Sequence, residues 1–334
     1  MFGLEDMVVC RHTAPSFLTE SAVLLANASS GLWVLIQKLA PPQVWLPSYL
    51  CGSIAGVVVK AGLLPKYYEV SPTLVPASLD WLEDVQPNDL IIGIDYFGFP
   101  MDTSWVAMAK SKGAWILEDA CQALLSNFVG AHADFVLFSP RKFLGVPDGG
   151  ILLCKHPLEE KDGLGLTLPP SEWQLKTLNA SLLRREFDLV GKDRHWFKLF
   201  QETEQNHPVG LYAMSALSRN ILTHCVDYPA IAQKRVENYK YLLQSLPSLA
   251  IFPALPEGVI PLGFPIRAQE RDRIRQALFD AAIYPPVHWP IKDIVPGYFQ
   301  DSHELAGHIM TLPCDQRYTL KDMARVAETV RQSI

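Results

Sequence analysis

The strongest constraint on the fold is the alternation of short apolar runs with helical patterns between residues 21 and 154. Runs that are apolar throughout are typical of strands buried on both faces, and helical patterns between them are typical of a parallel sheet covered by helices. The alternation therefore predicts an α/β fold built on a mainly parallel sheet. The predicted strands are residues 43–46, 65–70, 90–95, 114–118, 135–138 and 151–154.

The second half of the chain has a different pattern. Residues 155–208 are charged, contain the pair Pro169-Pro170 and then have the periodicity of helices, so they form either an insertion or a bridge. A long helical pattern runs from Leu217 to Leu242. We predict three parts: a large domain over residues 1–208, a connecting helix over 209–246, and a small α+β domain over 247–334. The strands of the small domain are predicted near residues 249–252, 259–266 and 286–289.

Composition excludes several classes of protein and partner. The 334 residues are 49% hydrophobic and 19% charged, which excludes a disordered chain. The formal net charge is −6 and the basic residues are scattered, so we expect no nucleic-acid partner. The longest apolar stretch, residues 53–64, is interrupted by Lys60 and is too short to span a membrane. The six cysteines are spread singly without a C-x-x-C pair, which indicates a reducing cytoplasm.

Two predicted strand ends carry residues that suit cofactor chemistry. Asp119 follows strand 114–118, and Ser139 and Lys142 follow strand 135–138. In doubly wound sheets such positions meet in a crevice. A lysine amine forms a Schiff base with the aldehyde of pyridoxal phosphate (PLP), and a carboxylate beside the pyridine nitrogen keeps that nitrogen protonated. By themselves the two residues are also compatible with a helix cap and a solvated charge.

Three segments in series resemble a known family. Residues 118–123 (E-D-A-C-Q-A), 138–145 (F-S-P-R-K-F-L-G) and 148–150 (D-G-G) resemble the motifs of the DegT/DnrJ/StrS sugar aminotransferases, which are fold type I PLP enzymes of the aspartate aminotransferase superfamily. The resemblance implies a large domain with a mainly parallel seven-stranded sheet, a smaller C-terminal α+β domain, bound PLP and a homodimer. Residues 46–51, 95–102 and 284–290 extend it.

The resemblance also implies an activity and a set of site residues. The activity is transfer of an amino group from an amino acid such as glutamate to a keto sugar, linked to a nucleotide. Lys142 is then the Schiff-base lysine and the acid/base, and Asp119 is the partner of the pyridine nitrogen. The remaining cofactor residues are Gln122 at the 3-hydroxyl, Ser139, Ser30 and Gly31 at the phosphate, and Tyr49 and Cys51 at the ring. The candidate substrate residues are His288, Asp95 and Tyr96.

Some alternatives stay open at the level of sequence. Ser30 is either a phosphate ligand or a plain helix N-cap. The N-Y-R motif of the family, which reaches the partner's phosphate across the dimer, is L-Y-A at residues 211–213, so Arg219 or Asn220 is a candidate substitute. A lyase, dehydratase or amino-acid transaminase of the same fold, or a protein that binds PLP or a nucleotide sugar without turnover, is the alternative function.

A zinc site is not expected. His303 and His308 surround a sequence similar to H-E-x-x-H, but they are five positions apart and lie about 140° from each other around a helix. We also expect burial to lower the pKa of Lys142 toward the range of a base.

Overall fold

The computed structural model describes residues 2–4, 15–155, 164–191 and 194–334. Within these residues, seven strands form one sheet: β1 Val23–Leu25, β2 Val44–Pro47, β3 Lys66–Tyr68, β4 Leu90–Ile94, β5 Trp115–Asp119, β6 Phe135–Phe138 and β7 Gly150–Cys154. Their order in the sheet is β1-β7-β6-β5-β4-β2-β3. The five strands β2 to β6 are parallel, and β7 is antiparallel to both β6 and β1. The predicted α/β fold with a mainly parallel sheet is confirmed.

Helices cover this sheet, and a second small sheet lies near the C-terminus. Two antiparallel strands, β8 Phe264–Arg267 and β9 Ile309–Leu312, form the second sheet, which falls inside the predicted small domain. The boundaries of the three predicted parts stay a prediction. The helices are α1 Ala28–Leu39, α2 Gly52–Lys60, α3 Val106–Ser111, α4 Ser171–Val190, α5 His195–Gln205, α6 Ala216–His224, α7 Tyr228–Ser245, α8 Arg271–Asp280, α9 Gln300–His308 and α10 Leu320–Arg331.

Close packing of α1 on the sheet depends on one glycine. A Cβ at Gly31 would lie 2.6 Å from Leu137 Cδ1 on β6, so only glycine lets the helix approach this closely without displacing that leucine. All four residues of β6 are buried, as are all five of β4. The first turn of α1 therefore lies directly against the central strands, on the face of the sheet toward which Leu137 points.

The connecting helix is divided in two, contrary to the sequence prediction. α6 ends at His224, and α7 starts at Tyr228 with Pro229 in its first turn. Proline has no amide hydrogen and clashes with the preceding turn, so it is tolerated at the start of a helix but not in the middle. Asp227 caps the new helix, and its Oδ1 accepts a hydrogen bond from Ala230 N at 3.0 Å.

The strand predictions for the small domain were partly wrong. Residues 286–289 form no strand, although Pro286 O accepts a hydrogen bond from Thr311 N at 3.0 Å. Prolines at positions 285, 286 and 290 remove amide donors that a ladder requires. The segment 249–252 contributes a single bridge, Ala250 with Ile266, and β9 was not predicted. Among the described residues, no helix combines the length and apolar character needed to cross a bilayer.

Candidate active site

The position of Asp119 follows from the register of the central strands. Asp119 ends β5 and pairs with Leu137 on β6, so the two side chains lie on the same face of the sheet. Because Gly31 of α1 packs against Leu137, this is the face that α1 covers. Asp119 Oδ1 accepts a hydrogen bond from Cys121 N at 3.0 Å, which fixes the carboxylate beside the end of β5.

Lys142 lies on a short turn after β6. The turn is the 3₁₀ segment Pro140–Lys142, and Lys142 N donates to Ser139 O at 3.1 Å. Burial acts to lower the pKa of Lys142, but Cys121 and Asp119 act in the opposite direction and leave the pKa above its ordinary value. Burial therefore acts in the expected direction, but the groups at the neighbouring strand end outweigh it, so the net pKa is raised and not lowered. The amine and the Asp119 carboxylate lie within electrostatic range of each other.

Gln122 presents a buried donor at the same site. Its Oε1 accepts a hydrogen bond from Phe97 N at 2.7 Å, which fixes the orientation of the amide. Its Nε2 is buried and has no hydrogen-bond partner among the described residues. A buried donor without a partner is rare in proteins because desolvation of the group is unfavourable. The predicted contact of Gln122 with a cofactor hydroxyl is one way to satisfy this donor.

Asp95 lies on the opposite face from Asp119. Glu118 precedes Asp119 on β5, so its side chain points to the opposite face of the sheet, away from α1. Gly93 pairs with Glu118, and Asp95 comes two positions after Gly93, so Asp95 lies on the same face as Glu118. Asp95 is fully buried, and its Oδ1 accepts from Met101 N at 2.9 Å. Burial and the adjacent Glu118 carboxyl hold the pKa of Asp95 well above its usual range. The carboxyl thus has partners inside the protein, and its role in substrate binding stays a prediction.

Tyr49 and Tyr96 belong to an aromatic cluster with Trp289. The Tyr49 ring lies 5.8 Å from the Tyr96 ring and 5.5 Å from the Trp289 ring, and the Tyr96 hydroxyl donates to Tyr49 O at 2.5 Å. Both tyrosines are buried. Cys51, at the start of α2, is partly exposed and lies within electrostatic range of Lys142. Of the two residues predicted to face the ring, Cys51 lies within electrostatic range of the lysine and Tyr49 belongs to the aromatic cluster.

The small domain contributes His288 to the site. Its Nδ1 is 2.9 Å from Thr311 Oγ1, and its ring lies 5.7 Å from the Phe97 ring. Burial, together with the charge of Lys142, lowers the pKa of His288 to about 3. The imidazole is therefore neutral at physiological pH, available as a hydrogen-bonding group and not as a cation. His288 lies within electrostatic range of Lys142, and its role in substrate binding stays a prediction.

Replacement of His288 by Gln makes stability less dependent on pH. The folded protein has a pKa of about 3 at this group, against 6.5 for an ordinary histidine, so the unfolded chain binds a proton that the folded one does not. The wild type thus loses stability as the pH falls below 6.5, by at most about 2 kcal/mol more than His288→Gln on reaching pH 5. Urea unfolding at pH 7, 6 and 5 measures the difference. Equal losses in both proteins would contradict a neutral His288.

The first turn of α1 differs from its prediction. Asn27 is the N-cap, since its Oδ1 accepts from Ser30 N at 2.8 Å, so the alternative of Ser30 as a plain N-cap is wrong. Ser30 is fully buried, and its Oγ lies 3.2 Å from Pro208 O and 3.3 Å from Gly210 N. The Gly31 amide donates to Asn27 O at 3.4 Å. Contacts of Ser30, Gly31 and Ser139 with a phosphate stay a prediction.

The D-G-G segment positions the start of α6. The carboxylate of Asp148 accepts from Ser215 N at 2.9 Å, from Ser215 Oγ at 2.7 Å and from the hydroxyl of Ser218. Arg219 and Asn220, the candidate substitutes for the missing N-Y-R residues, are exposed on the same helix. They point into solvent in this chain, and their role across a dimer stays a prediction.

The described residues contain no cluster of three or more His, Cys, Asp or Glu side chains suited to a metal. His303 and His308 both lie on α9, as their spacing requires, but each is bonded to backbone carbonyls. His303 Nε2 lies 3.2 Å from Val295 O, and His308 Nδ1 lies 2.8 Å from Glu304 O.

The family model of the DegT/DnrJ/EryC1/StrS aminotransferases matches residues 16–331. The chain belongs to this family of PLP-dependent aminotransferases. It is 23% identical over 334 residues to the erythromycin biosynthesis sensory transduction protein EryC1 of Saccharopolyspora erythraea, covering 93% of this chain and 82% of that one.

Solved structures share the fold. The apo form of the putative sugar aminotransferase Spr1654 from Streptococcus pneumoniae superposes with a TM-score of 0.71 at 14% identity, over 100% of this chain and 97% of that chain. The sugar aminotransferase CalS13 from Micromonospora echinospora gives 0.66 at 16% identity, over 94% and 88%. These similarities support the fold type I architecture.

The residues present fit the PLP of this aminotransferase family. Asp119 offers a carboxylate, Gln122 offers the buried donor Nε2, and Lys142 offers an amine, all at the ends of two adjacent parallel strands. When bound, PLP supplies an electron sink for charge that develops at the substrate carbon. In the predicted assignment Lys142 would hold and move the proton at its Nζ, and Asp119 would supply the negative charge that favours a protonated pyridine nitrogen. Both roles stay predictions.

Sequence reasoning missed three groups at this site. Phe97 has a positive φ of 59° and directs its amide toward Gln122, a conformation that no sequence pattern around it announces. Arg141 immediately precedes Lys142, and Glu204 of α5 bonds to it at 2.8 Å. The motif around Lys142 contains Arg141, but nothing in the sequence connects it to Glu204, which lies in the part of the chain least similar to the family motifs.

Proposed function

We propose that the chain transfers the amino group of an amino acid, glutamate in the first instance, to a nucleotide-linked keto sugar. The observation that carries the proposal is the placement of Lys142 and Asp119 at adjacent strand ends, on a fold shared with sugar aminotransferases such as CalS13. Lys142 takes the proton from the donor carbon and returns it to the cofactor side, and the second half-reaction uses the same lysine in reverse.

Other residues take supporting roles in this proposal. His288 is neutral and lies within electrostatic range of Lys142, so it offers the sugar a hydrogen-bonding group without repelling the ammonium form of the lysine. Cys51, at the start of α2, is partly exposed and is assigned to the cofactor ring. Tyr96 fixes the backbone two residues before it by donating a hydrogen bond to Tyr49 O.

The test is a half-reaction in each direction. The purified protein loaded with PLP is mixed with L-glutamate, and conversion to pyridoxamine phosphate and 2-oxoglutarate is followed by absorbance and chromatography. The pyridoxamine form is then offered nucleotide-linked keto sugars and simple keto acids. Turnover only with keto acids would identify an amino-acid transaminase, and no conversion with any donor would identify a binding protein without turnover.

We infer that the enzyme is a homodimer, and a leucine stripe on α4 supports this. Leu175, Leu182 and Leu189 are 67%, 48% and 68% exposed and recur every seven residues, which places them on one face of the helix. The leucines lie outside the buried face of α4, which carries Trp173, Thr177, Ala180, Ser181 and Arg184. An exposed leucine row in addition to a buried face is unusual for a surface helix, so the stripe suits a two-fold contact with a second copy.

Substitution of the leucine stripe is expected to dissociate the dimer. In the triple variant Leu175→Gln, Leu182→Gln, Leu189→Gln, the dissociation constant rises at least about 100-fold, since apolar burial is the main contribution of such a contact. Analytical ultracentrifugation over a concentration series measures it. Leu64→Gln, at an 82% exposed leucine outside the stripe, is the matched control. A dimer that persists unchanged in the triple variant would refute this interface.

We also propose a reducing, cytoplasmic location. Among the described residues the cysteines form no disulfide, which is compatible with the compartment expected from their spacing. Cys10 lies outside the described residues.

A further inference from the structure

Arg141 is a nearly buried cation that lies directly beside the predicted cofactor lysine. Its side chain is 12% exposed, and its Nη2 lies 2.8 Å from Oε1 of Glu204, whose side chain is 48% exposed. Lys142 lies within electrostatic range of the same glutamate. A guanidinium with so little access to water requires an anion nearby, and here the half-exposed carboxylate of Glu204 supplies it.

The guanidinium of Arg141 has N–H donors beyond the one that bonds to Glu204. Its Nε is buried and has no hydrogen-bond partner among the described residues. An arginine offers five N–H groups in a planar fork, which matches the oxygens of a phosphate better than a single carboxylate contact through Nη2 does. The arrangement thus has capacity for an anion larger than the one that Glu204 presents.

The surroundings of Arg141 also suit an anion. Ser139 precedes it by two positions, and the chain at Glu204 is connected to the first turn of α1 through His207. His207 Nδ1 lies 2.6 Å from Glu204 O, and its Nε2 lies 3.0 Å from Ser29 Oγ. Burial acts to raise the pKa of Glu204, but the charge of Arg141 outweighs it, so the pKa is lowered and the carboxylate is ionised at neutral pH.

Building on the proposed function, we propose that Arg141 is the cationic anchor for the phosphate ester of the cofactor, and that Glu204 and this phosphate are alternative anions for its guanidinium. Because the Glu204 side chain is half exposed, it can move into solvent without repacking the core. Arg141 then compensates for the residues of the N-Y-R motif, which this chain replaces with L-Y-A at residues 211–213.

The experiment compares two aldehydes, PLP and pyridoxal, which differ only in the phosphate. Dissociation constants are measured by absorbance titration for the wild type, Arg141→Leu and Glu204→Gln. Arg141→Leu weakens PLP about 10- to 100-fold and leaves pyridoxal unchanged, as expected for the loss of hydrogen bonds to a charged group. Glu204→Gln removes the competing charge, so it tightens PLP several-fold and again leaves pyridoxal unchanged. Inorganic phosphate competes with PLP in the wild type and in Glu204→Gln, but no longer in Arg141→Leu.

Further variants make the result decisive. Arg273→Leu removes an exposed arginine elsewhere and is the matched charge control, with both dissociation constants unchanged. Arg219→Leu tests the rival cation on α6. If this variant loses PLP affinity and Arg141→Leu does not, the proposal is overturned.

Equal weakening of PLP and pyridoxal in Arg141→Leu also overturns the proposal, since that indicates a structural role. If that variant fails to fold, Glu204→Gln carries the test alone, and unchanged PLP affinity there refutes the proposal. A wild type that binds neither aldehyde refutes the proposed function as well.

Discussion

Lys142→Ala is expected to abolish transamination, with a loss of at least about 10⁴-fold in turnover. In the proposed mechanism the amine is the group that moves the proton in both half-reactions. The Cys121 thiol near this strand end is a poor substitute, because burial raises its pKa well above its ordinary value and keeps it protonated. The measurement is single-turnover conversion of bound PLP by L-glutamate.

A second readout separates chemistry from folding in this variant. Borohydride treatment followed by mass spectrometry attaches the cofactor covalently to the wild type, at the peptide that contains Lys142, and leaves Lys142→Ala unmodified. Lys321→Ala, an exposed lysine on α10, is the control and remains fully active. Covalent attachment to another lysine in Lys142→Ala would show that the cofactor lysine has been assigned to the wrong residue.

Asp119→Asn is expected to lower kcat by about 10²- to 10³-fold, the usual effect of removing one preorganised electrostatic group. Asparagine keeps the size of the side chain and can still accept from Cys121 N through its oxygen, so the local turn survives. What is lost is the negative charge that favours a protonated pyridine nitrogen. Steady-state kinetics with glutamate measure the change, and Asp119→Glu, which keeps the charge, retains more activity than Asp119→Asn.

The same substitution has a predicted effect on Lys142. The Asp119 charge raises the pKa of the lysine, so its removal lowers that pKa, and the free amine forms at a lower pH than in the wild type. A pH titration of the reaction of Lys142 with an amine-specific reagent measures the shift. A pKa of Lys142 that rises or stays constant in Asp119→Asn would contradict the proximity of the two groups.

The chemistry of the strand ends was predictable from sequence because it depends on local order along the chain. Asp119 and Lys142 each follow an apolar run, and parallel strands place their carboxyl ends at one edge. Gly31 was predicted near a phosphate; the structure shows in addition that its lack of a Cβ allows α1 to pack closely against Leu137. The division of the connecting helix at Pro229 was also visible in the sequence, but the apolar periodicity across it masked the break.

The sequence by itself determined the α/β class, the strands β2 to β7 and the two chemical groups that follow β5 and β6, because strand burial and helical periodicity are local properties; β1 and β9 were not predicted. Only the tertiary structure decided the rest. Register and pleat placed Asp95 on the opposite face from Asp119, although both follow apolar strands. Packing of the small domain made His288 a neutral group, and the fold brought Glu204 to Arg141. Face, burial and long-range ion pairs depend on which elements pack together, and one-dimensional order does not contain that information.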